Sequence, residues 1–195
     1  MNNNLAIIGH GGFAREVECW AKERYFCTFY AEDEYAGGIV KPLSTFNPNN
    51  SRAVIAIGDP NTRRRIARAM PKETTFASLV HPSVKILDPE TVLIMRGVII
   101  CAGSILTTNI MVRDHTHLNL NTTVGHDCEL GRYFTTAPAV NISGNVKTGS
   151  NVYVGTNAAI REKVTIASNV TIGMSATVLN DIKQSGTYVG LVKNK

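Results

Sequence analysis

Long hydrophobic runs are missing from this 195-residue sequence, and cysteine and aromatic residues are scarce. No apolar stretch approaches the length of a membrane span, so we expect no membrane-spanning helix. Residues 1–5 lack a charged segment ahead of an apolar one, which argues against a secretory signal and predicts a cytoplasmic protein. The four cysteines, at positions 19, 27, 101 and 128, have neither CxxC nor metal-ligand spacing. We therefore expect reduced, mostly buried thiols and no metal site.

The excess of positive charge is small. The sequence has 20 lysines and arginines against 15 aspartates and glutamates, a net charge of +5, which favours anionic partners. Aromatic residues make up 7% of the chain and form no strip with basic residues on which bases could stack. Nucleic-acid binding is therefore not expected. The basic run Arg63–Arg65, with Arg68, is expected to form the exposed face of a helix.

Residues 1–80 have the pattern of a small α/β domain. Short apolar segments alternate with segments of helical spacing. The predicted elements are strands at 5–8, 27–31 and 53–57, a helix at 13–22, and a second helix, capped by Asn61 or Thr62, that ends near Met70. Strand–helix–strand order with short connections predicts a parallel sheet of Rossmann type, in a truncated version.

Residues 81–195 have a different period, because aliphatic residues recur every six positions. Two interleaved series carry this pattern: Ile160, Ile166, Ile172 and Val178, and Val146, Val152, Ala158, Val164, Val170 and Ala176. A fixed period of six predicts a hexapeptide β-helix, in which short strands point aliphatic side chains into a narrow prism. A β-meander also repeats at every sixth residue, but the phase never slips here and Asn-Gly hairpin turns are missing. The general rule for parallel crossovers favours a right-handed coil.

Several segments carry a resemblance to a known family. They are Gly9–Val17 (GHGGFAREV), Val124–Gly131 (VGHDCELG), Ser143–Gly149, Val152–Asn157 and Tyr188–Gly190. Over essentially its whole length the chain resembles the sialic-acid O-acetyltransferase and bacillosamine N-acetyltransferase family. The combination of the His-Asp-Cys segment with hexapeptides is fairly specific, whereas the glycine motif alone is weak.

The resemblance implies a fold, an assembly and an activity. The β-helix would be left-handed, and a homotrimer would form active sites between adjacent β-helices. Residues 1–80 would hold a nucleotide-linked amino sugar, and residues 81–195 would bind acetyl-CoA. The implied reaction is N-acetylation of the 4-amino group of a nucleotide-linked 4-amino-4,6-dideoxy sugar, for surface polysaccharides or glycoproteins. O-acetylation of a sialic acid and a non-catalytic, sugar-nucleotide-binding β-helix are the alternatives.

His126 is the candidate general base, because an imidazole titrates near working pH and the amine must lose a proton. Asp127 would raise the basicity of His126 by accepting its other ring N–H. Consecutive strand residues point to opposite faces, so this pair requires a corner or an adjacent chain. Asn119 is a further candidate for orienting the imidazole. By resemblance, the backbone N–H near Gly144 would stabilise the oxyanion, while the alternative is an ordinary turn glycine.

The candidate substrate-binding residues follow the three predicted strands of the first domain. They are Gly11, Gly12, Phe13, Glu32, Asp33 and Gly58. A glycine loop that opens a helix favours phosphate through free N–H groups and the helix dipole. The loop is not a full GxGxxG, so a redox dinucleotide is not supported. An acidic side chain at the end of the second strand can accept from a base or ribose, and either Glu32 or Asp33 could do so.

The candidate acetyl-CoA positions come from the resemblance alone. They are Thr135, Gly155, Thr156, Gly173 and Met174. The family's C-terminal proline is absent from Val189–Lys193, so a proline-shaped loop near the adenine is not expected. The basic residues Lys147, Arg161, Lys163, Lys183 and Lys193 could meet CoA phosphates, but solvated surface charges are the favoured interpretation. His115 and His117 are interpreted as β-helix or interface residues, with His115 the alternative base.

Overall fold

A computed structural model of the protein describes residues 3–193, which divide after Leu79 into two compact units. None of the helices in this range is long and apolar enough to cross a membrane.

The first unit is a parallel four-stranded sheet in the order β3-β2-β1-β4, with one helix after β1 and another after β4. Its elements are β1 (Asn4–Ile8), α1 (Gly12–Ala21), β2 (Phe26–Ala31), β3 (Lys41–Pro42), β4 (Arg52–Ile55) and α2 (Pro60–Ala69), with 3-10 turns at Asp33–Tyr35 and Leu43–Thr45. The core forms where Ala6 and Ile8 of β1 and Ile55 of β4 pack against Ile66 of α2. The Rossmann-like fold expected from the alternating pattern is confirmed.

The start of α2 differs from the sequence-based expectation. Asp59, rather than Asn61 or Thr62, caps the helix, because its Oδ1 accepts the Thr62 N–H at 2.6 Å and Pro60 occupies the first turn. The prediction of an exposed arginine face is wrong for Arg63, whose side chain is fully buried. The guanidinium replaces its lost hydration with bonds to carbonyl oxygens at the end of β4.

The second unit is a parallel β-helix with three sheets and two or three residues in each strand. One sheet contains β5 (Leu79–Val80), β8 (Ile99–Ile100), β11 (His117–Leu118), β14 (Thr135–Thr136), β17 (Tyr153–Val154), β20 (Val170–Ile172) and β22 (Gly186–Tyr188). The next contains β6 (Lys85–Ile86), β9 (Ile105–Leu106), β12 (Thr123–Val124), β15 (Asn141–Ile142), β18 (Ala159–Ile160), β21 (Thr177–Val178) and β23 (Leu191–Val192). The third contains β7 (Val92–Ile94), β10 (Ile110–Val112), β13 (Glu129–Leu130), β16 (Lys147–Thr148) and β19 (Thr165–Ile166).

In the middle of the β-helix a coil takes 18 residues, because Thr123 pairs with Asn141, Asn141 with Ala159, and Ala159 with Thr177. Both aliphatic series point inward and form one continuous core, in which Phe134 is the bulkiest hydrophobic side chain. The expected hexapeptide β-helix is therefore confirmed, and its hand is left, as the resemblance implied.

The corners of the β-helix depend on one backbone conformation that repeats every six residues. From Gly97 to Ser175, every sixth residue has a φ between 53° and 73°. Glycine and asparagine occupy most of these positions, since they adopt the left-handed region at least cost. Asp127 is one of the exceptions, with a φ of 61°. This conformation turns the chain sharply and brings neighbouring side chains to the same edge.

Candidate active site

His126 and Asp127 lie together at the corner between β12 and β13. The imidazole Nδ1 is 2.6 Å from Oδ2 of Asp127. Adjacent residues of a strand could not meet in this way, but the left-handed φ of Asp127 turns both side chains outward. The His126 side chain is 58% exposed, so a ligand can reach the imidazole from outside the coil.

The carboxylate of Asp127 has a second partner, Asn109, whose Nδ2 donates to Oδ1 at 2.6 Å. The Asn109 amide, followed by His126, holds the pKa of Asp127 below its usual range. An ionised carboxylate only accepts hydrogen bonds, so Nδ1 of His126 carries the proton of this bond, and in the neutral imidazole Nε2 presents its lone pair. Sequence reasoning missed Asn109. Asn109 precedes Asp127 by 18 residues, which is one coil. This spacing is the signal by which the sequence could have identified it.

Asn119 does not reach the imidazole within the chain. It follows β11 at a different corner of the prism, where its Oδ1 accepts the Leu120 N–H at 2.8 Å. Its own N–H donates to Oγ1 of Thr136. A step of six residues moves the chain to the next corner, whereas only a step of 18 returns to the same edge. Any contact between Asn119 and His126 would require another chain.

Gly144 lies one coil beyond His126, directly against the imidazole. A Cβ at Gly144 would fall 2.6 Å from Nε2 and 2.7 Å from Cε1. Gly125 has a comparable constraint, since a Cβ there would fall 2.6 Å from the Gly144 nitrogen. Glycine at position 144 is therefore needed for the close approach of the His126 ring.

Cys128, two residues beyond His126, is a core residue. Its Sγ donates to the Ser143 carbonyl at 3.2 Å, and the side chain is fully buried. Burial raises the pKa of the thiol to about 11. A thiol of this kind does not serve as a nucleophile at neutral pH.

His115 and His117 are enclosed by the chain itself. His115 is 3% exposed, and its ring stacks on Tyr133 with centroids 5.2 Å apart and planes 2° from parallel. Gly97 faces the ring from the preceding coil. His117 is 1% exposed in β11. The structure thus argues against His115 as the alternative base, and no group of three metal-ligating side chains occurs among residues 3–193.

A cavity of about 590 Å³ lies in the first unit at the carboxyl ends of its strands. Its walls include the predicted residues Gly11, Gly12, Phe13, Glu32 and Gly58. No side chain caps α1, whose N-cap is Gly11, so backbone N–H groups of its first turn face this end of the sheet. This arrangement suits a phosphate.

The two acidic candidates at the end of β2 have different surroundings. Glu32 lines the cavity and accepts two hydrogen bonds from Arg65, at 2.5 and 2.7 Å, which lower the pKa of the glutamate. Asp33 does not line this cavity, and its Oδ1 accepts the Ser44 N–H at 3.1 Å. Of the two, only Glu32 is placed to meet a ligand in this cavity.

Arg63 supports the part of the cavity wall that Ile57 and Gly58 form. Its Nη1 donates to the carbonyl oxygens of Ile57 and Gly58, at 2.6 and 3.1 Å. Both of these residues line the cavity. Sequence reasoning missed this contribution, because a basic run on a helix ordinarily faces solvent.

Four of the five acetyl-CoA candidates share one corner of the β-helix, between the first and second sheets. Gly155 and Thr156 follow β17, and Gly173 and Met174 lie one coil beyond them. A Cβ at Gly155 would fall 2.5 Å from the Met174 nitrogen, so the coils approach closely here. Met174 is 75% exposed. Thr135 instead lies within β14 and is buried, so it does not join them on the surface of the chain.

The comparison with known proteins agrees with these features. The family described as the PglD N-terminal domain matches residues 4–70. The GDP-perosamine N-acetyltransferase of Escherichia coli O157:H7 is 25% identical over 163 residues, which are 74% of this chain and 72% of that protein.

Solved structures similar to this chain cover both units. The acetyltransferase domain of PglB from Neisseria gonorrhoeae FA1090 has a TM-score of 0.88 and 26% identity, over 97% of each chain. PerB from Caulobacter crescentus, in complex with CoA and GDP-perosamine, has a TM-score of 0.87 and 26% identity, over 96% of this chain and 94% of its own. WeeI from Acinetobacter baumannii AYE has a TM-score of 0.88 and 25% identity, over 96% of each. The resemblance that the motifs carry, to hexapeptide-repeat sugar acetyltransferases with a Rossmann-like N-terminal domain, is therefore confirmed.

Proposed function

We propose that this protein is an acetyl-CoA-dependent N-acetyltransferase that modifies the 4-amino group of a nucleotide-linked 4-amino-4,6-dideoxy sugar, with His126 as the general base. One observation carries the proposal: the imidazole is held by Asp127 through Nδ1, at 2.6 Å, and its side chain is 58% exposed at a corner of the β-helix. This is the geometry that a base acting on an external amine requires.

The reaction follows from these positions. The sugar ammonium first loses one proton to water. Nε2 of His126 then removes a second proton from the attacking neutral nitrogen as its lone pair forms a bond to the thioester carbonyl carbon. The carbonyl π electrons move to oxygen, and the Gly144 N–H stabilises that oxyanion. Collapse of the intermediate breaks the carbon–sulfur bond. The thiolate leaves with the bonding pair and takes the proton back from the imidazolium, so that amide and free thiol are the products.

Each substrate has a place in the proposal. The nucleotide sugar occupies the cavity of the first unit, with its diphosphate at the N-terminus of α1 and Glu32 accepting from the base or ribose. Acetyl-CoA lies along the corner that contains Gly155 and Gly173. The PerB structure, similar over nearly the whole chain, contains CoA and GDP-perosamine, the two kinds of molecule that these surfaces suit.

The exposure of His126 supports a homotrimer with its active sites between chains. An imidazole with 58% of its side chain open to water would act in a high-dielectric environment, where electrostatic stabilisation of an oxyanion is weak. A neighbouring β-helix packed over this corner would exclude that water. We also infer that the reaction takes place in the cytoplasm, where acetyl-CoA and nucleotide sugars are made, and that it supplies surface polysaccharides or glycoproteins.

The test is thiol release from acetyl-CoA in the presence of GDP-perosamine and of UDP- and dTDP-linked 4-amino sugars. We expect His126→Ala to lower the rate by a factor on the order of a hundred to ten thousand, while sedimentation shows an unchanged trimer. His81→Ala, a partly exposed histidine outside the proposed site, is the matched control. Unchanged kinetics for His126→Ala would remove this residue from the mechanism. Release of thiol with a sialic acid, and with none of the amino sugars, would contradict N-acetylation.

A further inference from the structure

A ladder of hydrogen bonds lies directly behind the His126–Asp127 pair, along one edge of the β-helix. Asn109 and Asp127 occupy the same corner position in successive coils and share the left-handed conformation, with φ values of 53° and 61°. Stacking of the coils places their side chains side by side. The Asn109 Nδ2 donates to Oδ1 of Asp127 at 2.6 Å, while Oδ2 of the same carboxylate meets the imidazole.

Asn109 is itself held from the preceding coil. Its backbone N–H donates to Oγ1 of Thr91 at 2.8 Å. The Thr91 and Thr108 hydroxyls lie 3.0 Å apart and both donate to Oδ2 of Asp88, at 2.8 and 2.9 Å. The Asp127 N–H donates to the Thr108 carbonyl at 3.1 Å. Both members of the Asn109–Asp127 pair are therefore anchored to one network, and their relative position is set by the backbone.

This arrangement restricts the rotation of the Asp127 carboxylate, which is 42% exposed and would otherwise turn freely in water. A neutral amide donor occupies one carboxylate oxygen and leaves the other for the imidazole, without adding a charge beside the base. We propose that Asn109 is a positioning residue for acetyl transfer, which locks the carboxylate of Asp127 so that its Oδ2 holds His126 in the tautomer with Nδ1 protonated. This inference rests on the proposed role of His126 as the base.

Asparagine recurs at these corners because it tolerates the left-handed backbone conformation. The alternative role of Asn109 is therefore to allow that conformation, with no effect on Asp127. Asn169 allows the two roles to be separated. It has a φ of 59°, is exposed, and has one side-chain bond to the adjacent coil, from Nδ2 of Asn151 to its Oδ1 at 3.0 Å. It lies at a different corner from His126. Substitution of Asn109 or Asn169 by glycine therefore removes one side-chain hydrogen bond between coils in each case. Glycine also adopts the left-handed φ more easily than asparagine at both positions.

The experiment compares Asn109→Gly with Asn169→Gly in the full-length protein. For Asn109→Gly we expect kcat to fall on the order of tenfold with both KM values unchanged, since the base is misoriented but neither substrate site is touched. Nitrogen-15 NMR of His126 without substrates should change from a single Nδ1–H tautomer to a mixture. Carbon-13 titration should show the pKa of Asp127 rising toward its ordinary value. Asn169→Gly should leave all three measurements at wild-type values.

Asn109→Asp is the second variant, because aspartate has the same shape and tolerates the left-handed conformation but lacks the amide donor. It should lose at least as much kcat as the glycine variant, because two carboxylates then face each other at positions 109 and 127. The proposal is overturned if Asn109→Gly retains both the wild-type kcat and the single tautomer. If the wild-type enzyme transfers no acetyl group to any amino sugar, only the proposed function fails. The NMR measurement then still shows whether Asn109 fixes the tautomer of His126.

Discussion

Replacement of Gly144 by alanine is the sharpest probe of the candidate site, because the added methyl group is directed at the imidazole. The φ of Gly144 lies outside the left-handed region, so alanine is compatible with the backbone there. The three atoms nearest to the new Cβ all belong to the His126 ring, with Nε2 at 2.6 Å. The strain thus falls on one side chain rather than on the coil.

The size of the effect follows from this distance. Ordinary van der Waals contact begins at 3.4 Å, so the ring must move by the difference, about 0.8 Å. The ring can do so, because the side chain is 58% exposed, but the movement breaks the 2.6 Å contact with Asp127. A misplacement of about 1 Å can cost on the order of 100-fold in rate, and we expect a loss of kcat of this order. The melting temperature should fall by no more than about 4 °C, because no core contact is lost.

The assay is steady-state thiol release with acetyl-CoA and the best amino-sugar substrate, together with thermal denaturation. Glu162→Ala is the matched control, since this exposed residue occupies the equivalent corner position one coil beyond Gly144 and is outside the proposed site. A Gly144→Ala enzyme that keeps kcat within about threefold of wild type would refute a role for the His126 ring in its observed position, because alanine retains the backbone N–H.

Two further predictions test the cavity and the core. Arg63→Met removes both hydrogen bonds to the carbonyl oxygens of Ile57 and Gly58, each worth about 1.5–3 kcal/mol when the donor is charged. It should raise KM for the nucleotide sugar about tenfold and leave KM for acetyl-CoA unchanged; equal changes in both constants would argue against a local effect. Iodoacetamide at pH 7.5 should modify the exposed Cys19 and spare Cys128, whose thiol is buried and has a pKa of about 11. Rapid modification of Cys128 in the native protein, located by peptide mass spectrometry, would contradict its packing beneath His126.

Much of the fold was predictable because it depends on periodicities that a linear sequence records directly. Ile160, Ile166 and Ile172 are six residues apart, which predicts that each hexapeptide contributes one inward-facing aliphatic side chain. The structure buries all three. The same kind of evidence placed the strands and helices of the first unit within a few residues. The identity of the α2 cap and the burial of Arg63 were missed, because each depends on a hydrogen bond that hydrophobic periodicity does not record. These are the bond from the Thr62 N–H to Asp59 and the bonds from Arg63 to the carbonyl oxygens of Ile57 and Gly58.

The candidate site was predictable from short sequence motifs, from the ends of the predicted strands and from the family resemblance. His126 and Asp127 share one motif, and the glycine loop is continuous from Gly11 to Phe13. Asn109 was missed, because the partner of Asp127 is fixed by an 18-residue coil that brings distant residues to one edge.

By itself, the amino-acid sequence determined the six-residue period, the change to a β-helix in the second half, and the presence of adjacent histidine and aspartate residues. Only the tertiary structure decided which side chains meet across the coils: Asn109 with Asp127, and the His126 ring with Gly144. The physical reason is that hydrophobic periodicity is a property of consecutive residues, whereas contacts between stacked coils depend on the number of residues in each complete turn of the backbone.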